Sequence, residues 1–224
     1  MKVVIVVYPG MTALDAIGPY EVFNSLREFE IQFAWKETGP IVTDSKALIL
    51  HATHAFADIK ACDIVLVPGS STDTATMMMD EAVTDWLRVI DQTTQFTTSV
   101  CTGSLILGAA GLLNEKRATT HWAAMPALTA VGAMPEPNQR VVREGKLITA
   151  AGVSAGIDLA LQLVADLLSE EKAKASQLMI EYDPQPPFDS GHISKVDDDL
   201  EATARSYFAK ALAMKEDDST HSAS

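Results

Sequence analysis

The sequence predicts an α/β fold in which helices cover both faces of a mostly parallel sheet. Three observations carry that expectation. Short apolar, β-branched runs alternate along the chain with segments of helical periodicity. The runs are continuously apolar rather than alternating, as strands buried on both faces must be. Pro9-Gly10, Pro68-Gly69 and Cys101 each follow such a run. They can therefore line one crevice at the carboxyl ends of the strands, where parallel sheets bind their ligands.

The first strand is Val3-Val4-Ile5-Val6-Val7, followed by a helical segment from about Leu14 to Arg27. Ile31-Gln32-Phe33-Ala34-Trp35 is β-prone, as are the shorter Ile41-Val42 and Leu48-Ile49-Leu50. Asp63-Ile64-Val65-Leu66-Val67 is an apolar strand stopped by Pro68-Gly69. Over 81–92, Val83, Trp86, Leu87 and Ile90 recur at helical spacing and make one apolar face. Phe96-Thr97-Thr98-Ser99-Val100 is a further buried strand, and the small apolar residues after Cys101 suit a helix.

Arg140–Arg143 and Lys146–Thr149 flank Glu144-Gly145, a two-residue hairpin signal. Ser154 can cap a long helix holding Ile157, Ala160, Leu161, Val164 and Leu168. Asp183-Pro184-Gln185-Pro186-Pro187-Phe188 is rigid and extended. A last helix, capped by Asp197 or Asp198, is expected to about Met214, with a polar, unstructured tail over 215–224. The organisation expected is one domain over 1–190, then a C-terminal helix and acidic tail over 191–224.

At 224 residues and 47% hydrophobic, the chain can build one large α/β core or two small ones. Its net charge of −13 argues against nonspecific nucleic-acid or anionic membrane partners, which need a basic surface. The apolar run after Met1-Lys2 is too short for a signal peptide and leads to Pro9-Gly10 rather than a cleavage site. No stretch is long enough to span a bilayer. The two cysteines, Cys62 and Cys101, make neither a disulfide framework nor a zinc motif, so a reducing cytoplasm is the expected setting.

Cys101 carries the strongest functional signal. It stands between a strand and a helix rich in small residues, so its side chain is held clear of the sheet on a sharp elbow. The helix N-terminus behind it favours thiolate over thiol. A buried structural cysteine is the competing reading, and local sequence does not decide between them.

Around this elbow the chain resembles a known family. Ser99-Val100-Cys101-Thr102-Gly103-Ser104, then Leu107-Gly108-Ala109-Ala110-Gly111-Leu112-Leu113, then Arg117-Ala118-Thr119-Thr120-His121-Trp122 resemble the DJ-1/PfpI superfamily. Leu14-Asp15-Ala16-Ile17-Gly18-Pro19 and Ala155-Gly156-Ile157-Asp158 fit the same pattern. Trp35-Lys36-Glu37 and Glu181-Tyr182 resemble the isonitrile hydratases within it. The resemblance covers about residues 2–190. It implies a flavodoxin-like three-layer α/β homodimer that hydrates an isocyanide to an N-substituted formamide, with no metal or organic cofactor. Cys101 matches the nucleophile, Asp15 the carboxylate beside it, and Thr102 follows the nucleophile.

The chemistry is sound for those residues. A thiolate can form a covalent thioimidate with an isocyanide, and a carboxyl beside the sulfur can serve both proton transfers. Burial beside a thiolate raises such a carboxyl's pKa. The competing reading for Asp15 is a helix N-terminal carboxylate. His121 follows the elbow at a strand end and reads as a structural, hydrogen-bonded histidine. Where proteolytic or glyoxalase-like relatives carry His after the cysteine, this chain has Thr102, which counts against both activities. His192-Ile193-Ser194 does not supply the His-x-Glu pair of a glutamine amidotransferase. His51 and His54 lack a third ligand at suitable spacing, so no metal site is expected. Cys62 reads as packing, and Met77-Met78-Met79 as adaptable filling of a helix–loop junction.

Two departures bear on the pocket. Gly69-Ser70-Ser71 replaces the usual paired glycines, and the amide at position 70 is expected to face developing negative charge. Ala150-Ala151-Gly152-Val153 replaces a glycine-rich segment, so Gly69, Ser70 and Val153 are expected to touch substrate. Two functions of other classes compete. One is a ligand-sensing module like those fused to helix-turn-helix regulators, against which the acidic end of the chain argues. The other is a redox-sensing or stress-protective protein with an oxidisable Cys101.

Overall fold

The computed structural model describes residues 1–221, with side chains through residue 213. The chain divides into a first unit, Met1–Tyr182, and a second that begins at Asp183. In the first unit, β1 (Lys2–Val6), α1 (Ala13–Asn24) and β2 (Glu30–Trp35) follow in order. A hairpin of β3 (Gly39–Val42) and β4 (Ile49–Ala52) comes next, then β5 (His54–Ala55) and β6 (Ile64–Val67). Two helices, α2 (Thr74–Met79) and α3 (Glu81–Asp91), lead to β7 (Phe96–Val100) and α4 (Gly103–Ala109). Short pieces follow: β8 (Arg117–Ala118), α5 (Ala127–Ala130) and β9 (Met134–Pro135). The unit closes with β10 (Val141–Glu144), β11 (Leu147–Ala150), α6 (Ala155–Leu167) and α7 (Glu170–Met179).

Seven strands form the main sheet in the order β10-β11-β7-β6-β1-β2-β5. All neighbours are parallel except β10 and β11. Helices α1, α6 and α7 pack together, and α2, α3, α4 and α5 form a second group. This is the α/β sandwich with a mostly parallel sheet that the apolar runs predict. Val3, Val4, Ile5, Ile64, Val65 and Leu66 are all 0% exposed, the burial a strand covered on both faces needs. Each contributes about 1.5–3 kcal/mol of apolar transfer. From β1 the chain moves first to β2 and later to β6 on the opposite side. That reversal opens a crevice at the carboxyl ends of β1 and β6.

Local chemistry explains the boundaries. Asp80 caps α3 by accepting from the amides of Ala82 and Val83 at 3.1 and 3.4 Å. Gly156 is required where α6 meets α1: a Cβ there would come within 2.9 Å of Pro19 Cγ and 3.0 Å of Val100 Cγ2. The β10–β11 turn lies one residue later than the sequence suggests. Glu144 pairs with Leu147, so Gly145-Lys146 is the loop, with Gly145 at φ +64°.

Ser154 precedes α6 but does not cap it, because its Oγ accepts from Arg140 Nη2 at 3.1 Å. The long helix expected through Leu168 is α6, and a further helix that the sequence does not mark, α7, follows it. Ser169 Oγ accepts from the Lys172 amide at 3.2 Å and starts α7. That helix buries only Ala173 and Ser176, so it has no apolar face for periodicity to reveal.

In the second unit, 183–186 have no regular structure and α8 spans Asp198–His221. Asp197 caps it through the Leu200 amide at 2.9 Å. The helix thus runs on into the tail expected over 215–224, of which 222–224 lie outside the described residues. No helix among the described residues is long and apolar enough to cross a membrane.

Candidate active site

Cys101 occupies the turn from β7 to α4 with φ +57°, in the left-handed region. That backbone costs a side-chain-bearing residue about 1–2 kcal/mol, so the surroundings must hold it. Its amide donates to the carbonyls of Ala150 and Ala151 at 3.1 and 3.0 Å. Its carbonyl accepts from Thr120 Oγ1 at 3.0 Å and Ser104 Oγ at 3.3 Å. The end of β11 and the Thr119-Thr120-His121-Trp122 segment therefore clamp the elbow. The nucleophile-elbow placement expected from sequence is what the structure has.

Asp15 lies in the first turn of α1 and is fully buried. Its Oδ2 accepts the Gly69 amide at 2.8 Å, rather than an amide of its own helix, while Oδ1 meets no aligned donor. Burial pushes its pKa up to about 7, with Asp44 adding to the rise. The Gly69 amide and the nearby Cys101 side chain only partly oppose it. Thr12, which precedes α1, gives its hydroxyl to Asp44 Oδ2 at 2.8 Å.

The Cys101 thiol is pushed well above its usual range, first by burial and then by Asp15. The Val153 amide and the Thr102 amide and hydroxyl bear on the sulfur and pull the other way without prevailing. The expectation that the helix end would favour thiolate is thus corrected. In a dry site facing a carboxylate, the resting form is the thiol. Val153 has φ +38°, the strained conformation that sets its amide toward the sulfur.

Thr102 and the 69–73 loop interlock. The Ser70 amide donates to Thr102 Oγ1 at 2.9 Å, and the Thr102 hydroxyl lies 3.1 Å from the Ser70 carbonyl. Ser70's amide is therefore occupied by Thr102 instead of facing developing charge, as position 70 was expected to do. The Ser70 hydroxyl donates to the Gly10 carbonyl at 2.6 Å and accepts from the amides of Thr72 and Asp73. Gly69 must be glycine here, since a Cβ would stand 2.5 Å from both Thr102 N and Thr102 Oγ1.

The structure thus brings Cys101, Asp15, Thr102, Gly69, Ser70 and Val153 to one crevice at the ends of β1, β6, β7 and β11. His121 packs behind it. Its Nδ1 accepts the Ala123 amide at 3.3 Å, which assigns the ring proton to Nε2, and burial lowers its pKa. Cys62 is buried far along β6's other end, with its thiol pushed up to about 12 by burial and Asp63. Met77 is buried in α2, whereas Met79 is exposed.

Tyr8 was not singled out by sequence. It is buried after β1, donates to the Pro68 carbonyl at 3.1 Å, and has its pKa raised by burial and by Asp15 and Cys101. Its position just past an apolar strand and before Pro9-Gly10 was the available signal. Among the described residues, no group of His, Cys, Asp and Glu could hold a metal ion.

Comparison with known proteins agrees with this geometry. Residues 1–166 match the DJ-1/PfpI family. The chain is 41% identical over 215 residues to isonitrile hydratase of Pseudomonas putida, covering 96% of this chain and 93% of that protein. A THiJ/PfpI family protein from Pseudomonas syringae superposes with a TM-score of 0.87 at 36% identity, over 95% of this chain and 89% of the other. Drosophila melanogaster DJ-1beta shares the fold, with a TM-score of 0.71 at 19% identity over 82% and 98% of the two chains. The chain belongs to the DJ-1/PfpI family.

Proposed function

We propose that this protein hydrates isocyanides to N-substituted formamides through a covalent thioimidate on Cys101. The observation that carries the reading is the buried pairing of a thiol with a carboxyl whose pKa lies near 7. It is supported by the 41% identity to the Pseudomonas putida isonitrile hydratase. A buried thiol needs a base at the moment of attack, and a carboxyl titrating near neutrality is matched to that work.

Asp15 carboxylate takes the Cys101 proton and delivers it to the terminal carbon of R–N≡C while the S–C bond forms. The product is the thioimidate R–N=CH–S–Cys101. Water then adds to that carbon, one proton passing to nitrogen, giving R–NH–CH(OH)–S–Cys101. Collapse breaks the C–S bond, forms the carbonyl, and returns the hydroxyl proton through Asp15 to sulfur. The release of R–NH–CHO leaves the thiol and carboxylate as they began.

The amides of Thr102 and Val153 stabilise negative charge on sulfur as it develops. Gly69, Ser70 and Val153 wall the approach to it, Ser70 through its backbone position rather than a free donor. The chain works in this reading as a cytoplasmic homodimer, with 184–188 and α8 as the segments that meet a neighbour. Incubation with a small aryl isocyanide tests the function, and formamide absorbance should rise with enzyme concentration. No absorbance change across alkyl and aryl isocyanides would refute it.

A further inference from the structure

We propose that Thr74, at the start of α2, is a positioning residue that frees the Thr102 hydroxyl to donate to the Cys101 sulfur. The inference rests on reading Cys101 as the nucleophile and deepens that reading. Thr74 is 27 positions from the elbow in sequence, and nothing in the sequence marks it. In the fold it is 9% exposed, with its Oγ1 at 2.6 Å from Thr102 Oγ1 and 2.9 Å from the Ser70 carbonyl.

Each threonine hydroxyl has one proton to give and lone pairs to receive. Thr102 Oγ1 already accepts the Ser70 amide at 2.9 Å, and its own proton has three possible acceptors. These are the Ser70 carbonyl at 3.1 Å, Thr74 Oγ1 and the Cys101 sulfur. Only donation to sulfur helps the thiol ionise. Among the described residues, the donors within reach of the Ser70 carbonyl are the hydroxyls of Thr74 and Thr102.

When Thr74 donates to the Ser70 carbonyl, that buried acceptor is satisfied and the Thr102 proton can turn to sulfur. When Thr74 donates to Thr102 instead, the Ser70 carbonyl has only the Thr102 proton to accept, so donation from Thr74 to that carbonyl is the arrangement that serves the sulfur. Without a hydroxyl at position 74, the Ser70 carbonyl claims the Thr102 proton and the nascent thiolate loses a donor. Thr74 thus acts through Thr102 and touches no substrate.

The test reads the thiol directly and does not depend on isocyanide turnover, so its failure and that of the hydratase reading are separable. The rate of Cys101 alkylation by iodoacetamide is measured against pH in a Cys62→Ser background. Asp15 and Tyr8 also face the sulfur and are left unchanged, so a shift in the profile belongs to the hydroxyl pair. Thr74→Val should slow alkylation at a fixed pH below the thiol pKa by about three- to tenfold, the value of one net hydrogen bond. Thr74→Ser should restore the wild-type profile. In a Thr102→Val background, Thr74→Val should change nothing further. If Thr74→Val does not fold, Thr74→Ala carries the same expectation. A wild-type profile in the folded variant overturns the proposal. So does failure of serine to rescue, or an equal loss when Thr102 is already valine.

Discussion

Replacing Asp15 by asparagine separates chemistry from structure, because burial raises the titration of its carboxyl into the neutral range. Its pKa stands at about 7 against an ordinary 3.8. A gap of about 3 units corresponds to roughly 4 kcal/mol of linkage. The sign follows from proton counting. Below about pH 4 both folded and unfolded chains hold the proton, and Asp15 contributes no pH dependence. Between about pH 4 and 7 the unfolded chain has released it while the folded one keeps it, so stability falls as pH rises. Above about pH 7 the full penalty stands.

Asp15→Asn keeps an acceptor for the Gly69 amide, bonded at 2.8 Å, and cannot ionise. It should match the wild type near pH 4 and melt higher at pH 8, by up to about 4 kcal/mol. Turnover should nevertheless fall by about two to four orders of magnitude, the range for a lost general acid–base group. In the wild type, kcat/KM should rise through about pH 7, because the working form is carboxylate facing thiol. Melting curves at the two pH values, with formamide production on the same samples, are the assay. Near-normal turnover together with a lower melting temperature at both pH values would refute the reasoning, leaving Asp15 a structural carboxylate.

Three further outcomes are expected. Cys62→Ser should retain isocyanide turnover, since Cys62 is buried at the start of β6 away from the crevice; a large loss would show the wrong thiol had been assigned. Activity should survive exhaustive chelation, and loss on EDTA that one divalent ion restores would contradict the purely thiol–carboxyl chemistry. Light scattering at micromolar concentration should give twice the chain mass, whereas a monomer would exclude the homodimer.

The legible parts of the fold were those with an unambiguous period. The continuous apolar runs at 3–7 and 63–67 fall in β1 and β6, and the spaced apolar face of 81–92 falls in α3. Helix α7 was not legible, because it buries little and is capped by Ser169 with no apolar stripe behind it. The hairpin turn was misread by one residue, since Glu144 pairs in the ladder and Gly145 supplies the positive φ. At the site, strand ends exposed the elbow and the Gly69 approach. The occupied Ser70 amide and the thiol resting form depend on contacts between β6, β7 and α1 that no local window contains.

The most direct test of the account is isocyanide turnover by purified, folded Cys101→Ala. A covalent thioimidate on this sulfur predicts that formamide production falls to the uncatalysed rate while circular dichroism and melting remain those of a folded protein. Substantial formamide production by that variant would contradict it, and Asp15 would then have to activate water without any covalent intermediate.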